Sequence, residues 1–113
     1  MSERITISPA DGTWVVRAAG AVLGESKNAL ILNEDGYPEV VYFPRADISM
    51  AFFEKSEKHT VCPYKGNATY YDLIAKSGTF AEAAWSYENP IAAVSEIKEH
   101  LAFYTSKVTV EKL

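Results

Sequence analysis

Asn28-Ala29-Leu30-Ile31-Leu32-Asn33-Glu34-Asp35-Gly36-Tyr37-Pro38-Glu39-Val40-Val41-Tyr42-Phe43 holds two short apolar runs joined by a tight turn. Glu34-Asp35-Gly36 carries the turn chemistry, because glycine reaches a positive φ without a steric penalty. Pro38 suits the start of a returning strand, where its missing N–H is least needed. The runs are too short for helices and rich in β-branched and aromatic residues. Their spacing predicts an antiparallel hairpin over residues 28–33 and 39–43.

The same grammar extends outward. On the N-terminal side, residues 4–8 alternate with Ile5 and Ile7 on one face, and Pro9-Ala10-Asp11-Gly12 is a turn. Residues 13–18 and 21–23 read as strands separated by a reversal at Gly20. Beyond the hairpin, Pro44 ends the extended run. Residues 45–53 then fit a short helical turn as well as a strand, and the proline at the first helical position favours the turn. Residues 56–59 are polar and read as a loop, and 60–63 as a short strand. In the long strand expected over 67–76, Thr69, Tyr71 and Leu73 share one face and Tyr70, Asp72 and Ile74 the other. After the turn Ser77-Gly78-Thr79, residues 83–88 return with Trp85 and Tyr87 on one face. Residues 90–98 read as a helix with Ile91, Val94 and Ile97 at three-residue spacing, followed by extended residues 101–104 and 107–110. The expected fold is therefore mainly β. It is one compact domain over residues 1–113, with about eight or nine short antiparallel strands in a bent or partly closed sheet and one or two short helices.

Composition narrows the function classes. At 113 residues the chain is long enough to bury a core without covalent staples. The net charge is −4 and no two Lys or Arg are adjacent, so no basic stripe exists for phosphates and a nucleic-acid partner is not expected. A single cysteine permits neither an intrachain disulfide nor a Cys-rich zinc site. Met1-Ser2-Glu3-Arg4-Ile5 lacks the apolar core of a leader, and no apolar run approaches a membrane span. These features point to a soluble, cytoplasmic protein, a monomer or weak homo-oligomer, with no membrane partner and no cofactor. Asn67-Ala68-Thr69 matches a glycosylation acceptor that such a compartment would leave unused. The chain's clearest bias is aromatic: seven Tyr and two Trp outnumber five Phe, and polar-tipped rings suit pocket walls.

A longer pattern emerges from Ser26, then Tyr42-Phe43-Pro44 with Asp47, then Thr60 with Cys62-Pro63-Tyr64-Lys65-Gly66-Asn67-Ala68 and Tyr70-Tyr71. Ala84-Trp85-Ser86-Tyr87-Glu88-Asn89-Pro90 and Ala102-Phe103-Tyr104 complete it. In order and spacing, over about residues 15–110, the chain resembles the domain of unknown function number 427 family. The resemblance implies a compact β domain, mainly bacterial and fungal, without an established activity. The family's nucleotidyltransferase-like label would require a Gly-Ser pair followed by paired carboxylates, and this sequence has no such motif.

Three residues are candidates for chemistry. Cys62 becomes a nucleophile when a neighbouring cation lowers its pKa, and Lys65 or His59 could supply one. Cys62 reads more simply as a small buried apolar residue, and Lys65 equally as a solvated cation. Gly66 allows a sharp turn whose N–H groups would suit an anion. Asp47 reads first as a helix cap, alternatively as a partner of Lys65 or a general base. Tyr42, Tyr70, Tyr71, Trp85, Tyr87 and Tyr104 form a set able to line one concave surface. His59 and His100 lack metal-ligand spacing, so no metal is expected. Asp72 and Glu88 become neighbours if the 67–76 and 83–88 runs pair, more simply as a solvated face than as a catalytic dyad.

The leading expectation is small-molecule binding in an aromatic pocket built by Tyr42, Tyr71, Trp85 and Tyr87, with Lys65, Cys62 and Asp47 at its polar end. Catalysis through Cys62 or Lys65 is the second reading, and a non-catalytic protein-interaction module the third.

Overall fold

Short alternating runs between Gly, Pro and Asp-Gly turns fold as strands because each buries one or both faces. The computed structural model describes residues 4–18 and 20–113; Met1-Ser2-Glu3, part of the stretch read as lacking a leader, and Ala19 lie outside them. Ten strands run through the described residues: β1 (Ile5–Pro9), β2 (Trp14–Ala18), β3 (Ala21–Ser26), β4 (Leu30–Glu34), β5 (Val40–Tyr42), β6 (Phe53–Cys62), β7 (Gly66–Ala75), β8 (Gly78–Ser86), β9 (Ala102–Phe103) and β10 (Thr109–Lys112). They pair antiparallel in three sheets, ordered β1-β4-β5, β10-β2-β3 and β6-β7-β8-β9. The mainly antiparallel β class expected from the sequence is the class observed. Among the described residues, no helix is long and apolar enough to cross a membrane.

The β4–β5 hairpin pairs Leu30 with Tyr42, Ile31 with Val41 and Leu32 with Val40. Its turn closes with Tyr37 N–H donating to Glu34 O at 3.0 Å, and Gly36 takes a φ of 84°. Isolated bridges tie the strands to the segments that connect them. Phe43 and Leu101 exchange backbone hydrogen bonds of 2.8 Å, joining the end of β5 to the segment before β9. Gly24 on β3 bridges Ile48, where an added Cβ would lie 2.5 Å from Ile48 Cδ1 and 2.7 Å from Asp47 O. Only glycine permits that approach.

Consecutive residues of the central strands serve two cores, because successive side chains point to opposite faces. Val16, Leu23, Phe43, Ile48, Tyr71, Leu73, Leu101 and Phe103 belong to one cluster. Leu32, Tyr42, Ala68, Tyr70, Tyr87, Val94, Ile97 and Ala102 belong to the other. Tyr42 and Phe43, Tyr70 and Tyr71, and Ala102 and Phe103 are each split between the two.

Two local expectations change. Residues 56–59 are not a loop but part of the ten-residue β6, whose register shifts between Lys55 and His59. Their polarity reflects an edge strand in water, where charges discourage pairing with another chain. The helix expected over residues 90–98 is a 3₁₀ segment, Ala92–Ile97, interrupted at Val94 (φ −124°, ψ 30°). Its anchors Val94 and Ile97 are buried, as their three-residue spacing requires. Residues 45–53 form two further 3₁₀ turns, Arg45–Asp47 and Met50–Phe52, before β6 begins.

Candidate functional site

The stretch Cys62-Pro63-Tyr64-Lys65-Gly66 is the β6–β7 hairpin turn. Cys62 pairs with Gly66, and Lys65 N–H donates to Cys62 O at 3.2 Å. Pro63 presets the second position of this turn, and Gly66 absorbs a φ of 116°. Lys65 O then accepts from Ile91 N–H at 3.0 Å, so the Asn89–Ile91 segment is packed against the turn.

Residues of the second core cluster also line a cleft of about 910 Å³. Tyr42, Tyr70, Trp85, Tyr87 and Tyr104 contribute aromatic lining, joined by Trp14 and Phe103 from the first cluster, and Leu32 and Val40 add aliphatic surface. Tyr42 and Trp85 meet edge to face, 6.4 Å between ring centroids, and Trp85 Nε1 donates to Tyr42 Oη at 3.3 Å. The Trp85 ring lies 4.6 Å from that of Tyr104. Tyr70 Oη shares a 2.8 Å hydrogen bond with Thr60 Oγ1, which fixes its ring across the β6–β7 pair. The exposed side chains of Tyr37, Val61 and Tyr64 are also part of the lining.

One end of the cleft is polar. Lys65 Nζ donates to Glu34 Oε1 at 2.7 Å, and Arg4 reaches Glu34 Oε2 at 3.3 Å. The Lys65 and Glu34 side chains are only 11% and 9% exposed. Cys62, a half-buried free thiol, lies among these groups. Burial pushes the phenols of Tyr42 and Tyr87 well above their ordinary range, the Trp85 hydrogen bond partly relieving Tyr42. Both remain protonated donors at neutral pH. Tyr104 is raised to about 12 by burial and by its hydrogen bond with Tyr70.

Of the residues singled out from the sequence, Tyr42, Cys62, Lys65, Trp85 and Tyr87 converge on this cleft. Tyr71 and Asp47 are not in its lining. Tyr71 faces the other core, where its hydroxyl donates to Glu88 and accepts from Arg45 Nη1 at 3.2 Å. Arg45 also reaches Glu88 at 3.0 Å, Ser86 Oγ at 3.2 Å and Glu99 O at 3.1 Å. Burial raises the Glu88 carboxyl, but the Tyr71 hydrogen bond and the Lys55 and Arg45 charges outweigh it and hold the group low. Asp47 neither caps a helix nor meets Lys65; its carboxylate accepts from Ser26 Oγ at 2.6 Å. Asp72 is likewise separated from Glu88 and accepts from Glu82 N–H at 2.7 Å, at an irregularity in the β7–β8 register.

Glu34 was not among the candidates, being read only as a turn residue. Its signal was the alternation of β4, which places Leu30, Leu32 and Glu34 on one face. Arg4 offered no local signal, because its partner is thirty residues away in sequence.

Fold and cleft together define a small antiparallel β domain with an aromatic, concave face ending in a buried ion pair. The chain belongs to the family described as a domain of unknown function (DUF427), whose model matches residues 6–112. No curated protein matches the chain significantly.

Proposed function

We propose that the protein binds a small planar molecule in the aromatic cleft, with Lys65 and the phenols of Tyr42 and Tyr87 orienting its polar end. The observation that carries this reading is the convergence of Tyr42, Trp85, Tyr87 and Lys65 on one cleft, with Tyr87 only 6% exposed. The cleft volume of about 910 Å³ lies within the range of small-molecule sites. Aromatic walls supply stacking area, while a few fixed polar groups set orientation.

A thermal-shift screen across metabolite classes tests the reading. A ligand at a hundredfold excess over its Kd stabilises the native state by about 2.7 kcal/mol. Compounds that raise Tm for the wild type and lose that effect in Trp85→Ala support it. A folded protein that responds to no class of compound contradicts it.

A further inference from the structure

Hydrogen-bonding capacity at the polar end of the cleft is unbalanced. Both Glu34 carboxylate oxygens are engaged, Oε1 by Lys65 and Oε2 by Arg4. The Lys65 ammonium has three N–H donors, and among the described residues only Glu34 accepts from it. Tyr42 Oη accepts from Trp85 and keeps its own O–H to donate; among the described residues no buried side-chain N or O lacks a partner, so an open donor here, the Tyr87 hydroxyl included, is one that solvent in the cleft reaches. The end of the cleft thus presents open donors, while its buried carboxylate is already occupied. Glu39, the other carboxylate of the lining, is exposed to solvent and exerts a screened effect.

The rings add a second constraint. Arg4 lies 4.1 Å from the Tyr64 ring centroid, Lys58 4.7 Å from that of Tyr70, and Lys65 6.0 Å from that of Tyr87. Three aromatic groups of the lining therefore already have cations of the protein beside them. A cationic ligand would compete with these charges for the ring quadrupoles. An anion would meet donors and cations together.

Building on the reading of the cleft as a ligand site, we infer that its ligand is a planar aromatic acid whose oxyanion is received by Lys65, Tyr42 and Tyr87. The anion takes up the open donors, the ring stacks against Trp85 and Tyr104, and Glu34 acts as the resident counterion with which the ligand competes. Charge-assisted hydrogen bonds of this kind are stronger than neutral ones and discriminate against isosteres that lack the charge.

The test is an NMR titration of the whole chain with three matched probes: naphthalene-carboxylate, naphthalene-carboxamide and naphthylmethylammonium. The expected result is saturable shifts at Trp85 and Tyr87, with the carboxylate bound about tenfold more tightly than either other probe. Tyr87→Phe should weaken the carboxylate selectively, and Glu34→Gln should strengthen it by removing the competing charge. If Glu34→Gln does not fold, the three-probe ranking on the wild type and Tyr87→Phe decides. Equal affinities, or tightest binding of the ammonium, would overturn the anion assignment while leaving the cleft as a binding site. Absence of saturable shifts in the cleft with all three probes would overturn both.

Discussion

Lys65 Nζ lies 2.7 Å from Glu34 Oε1, and this nearly enclosed ion pair fastens the β6–β7 turn to the end of β4. It joins two hairpins that lie in different sheets and fixes the polar end of the cleft between them. Removing one partner of such a pair leaves a buried charge without its counterion. Lys65→Ala should therefore destabilise the fold by about 3–5 kcal/mol. The double variant Glu34→Leu with Lys65→Met should recover much of that loss, since an apolar pair needs no compensation. Urea unfolding of Glu34→Leu, Lys65→Met and the double variant measures the coupling; strictly additive losses would contradict it.

Gly24 is a steric requirement of the fold. A Cβ there would meet Ile48 Cδ1 at 2.5 Å and the Asp47 carbonyl at 2.7 Å, and the carbonyl belongs to the backbone and cannot rotate away. Gly24→Ala should cost about 1–3 kcal/mol through overpacking. The measurement is the denaturation midpoint, with Gly20→Ala as a comparison: an added Cβ at Gly20 meets nothing, and only its φ of 77° opposes the change.

Asp47 belongs to structure, on this account. Ser26 Oγ donates to Asp47 at 2.6 Å and accepts from Asn28 N–H at 2.9 Å, so one hydroxyl ties the Arg45–Asp47 turn to the end of β3. Ser26→Ala should lower stability by about 1–3 kcal/mol, the cost of leaving partners unsatisfied. Asp47→Asn should leave ligand affinity in the cleft unchanged. Calorimetric titration with any compound found by thermal shift checks the second statement; a large loss of affinity would return Asp47 to the site.

Alkaline pH should unfold the protein through its tyrosines. Tyr42, Tyr71, Tyr87 and Tyr104 all hold their protons more tightly when folded, Tyr104 up to about 12. In the unfolded chain these phenols ionise near pH ~10. Above that pH the unfolded state binds fewer protons than the native state, so stability falls as pH rises. The contribution is complete below about pH 10 and is lost through the folded pKa values. Ultraviolet titration should show part of the tyrosine signal appearing only with loss of structure. Ordinary ionisation of all seven tyrosines in a still-folded chain would contradict this.

The fold was legible where its chemistry is local. Asp35-Gly36 and Pro38 announce the β4–β5 turn, and the alternating runs on either side give strands whose class needs no tertiary information. The polar segment 56–59 of β6 was not legible, because residues on a wet edge strand resemble those of a loop. The cleft was legible as a set of polar-tipped rings, five of which do line it. Tyr71 could not be told from Tyr70 by residue type, since adjacent strand positions differ only in which core they face. Glu34 was missed because its importance comes from Lys65 and Arg4, partners that only the three-dimensional pairing brings to it.

If the aromatic cleft is the ligand site, NMR mapping of the compound that most raises Tm will locate it there. Saturable shifts should appear at Trp85, Tyr87, Cys62 and Lys65, with the resonances of Ser26 and Asp47 unmoved. Shifts centred on Ser26 and Asp47, or stabilisation with no shift at Trp85 or Tyr87, would contradict it.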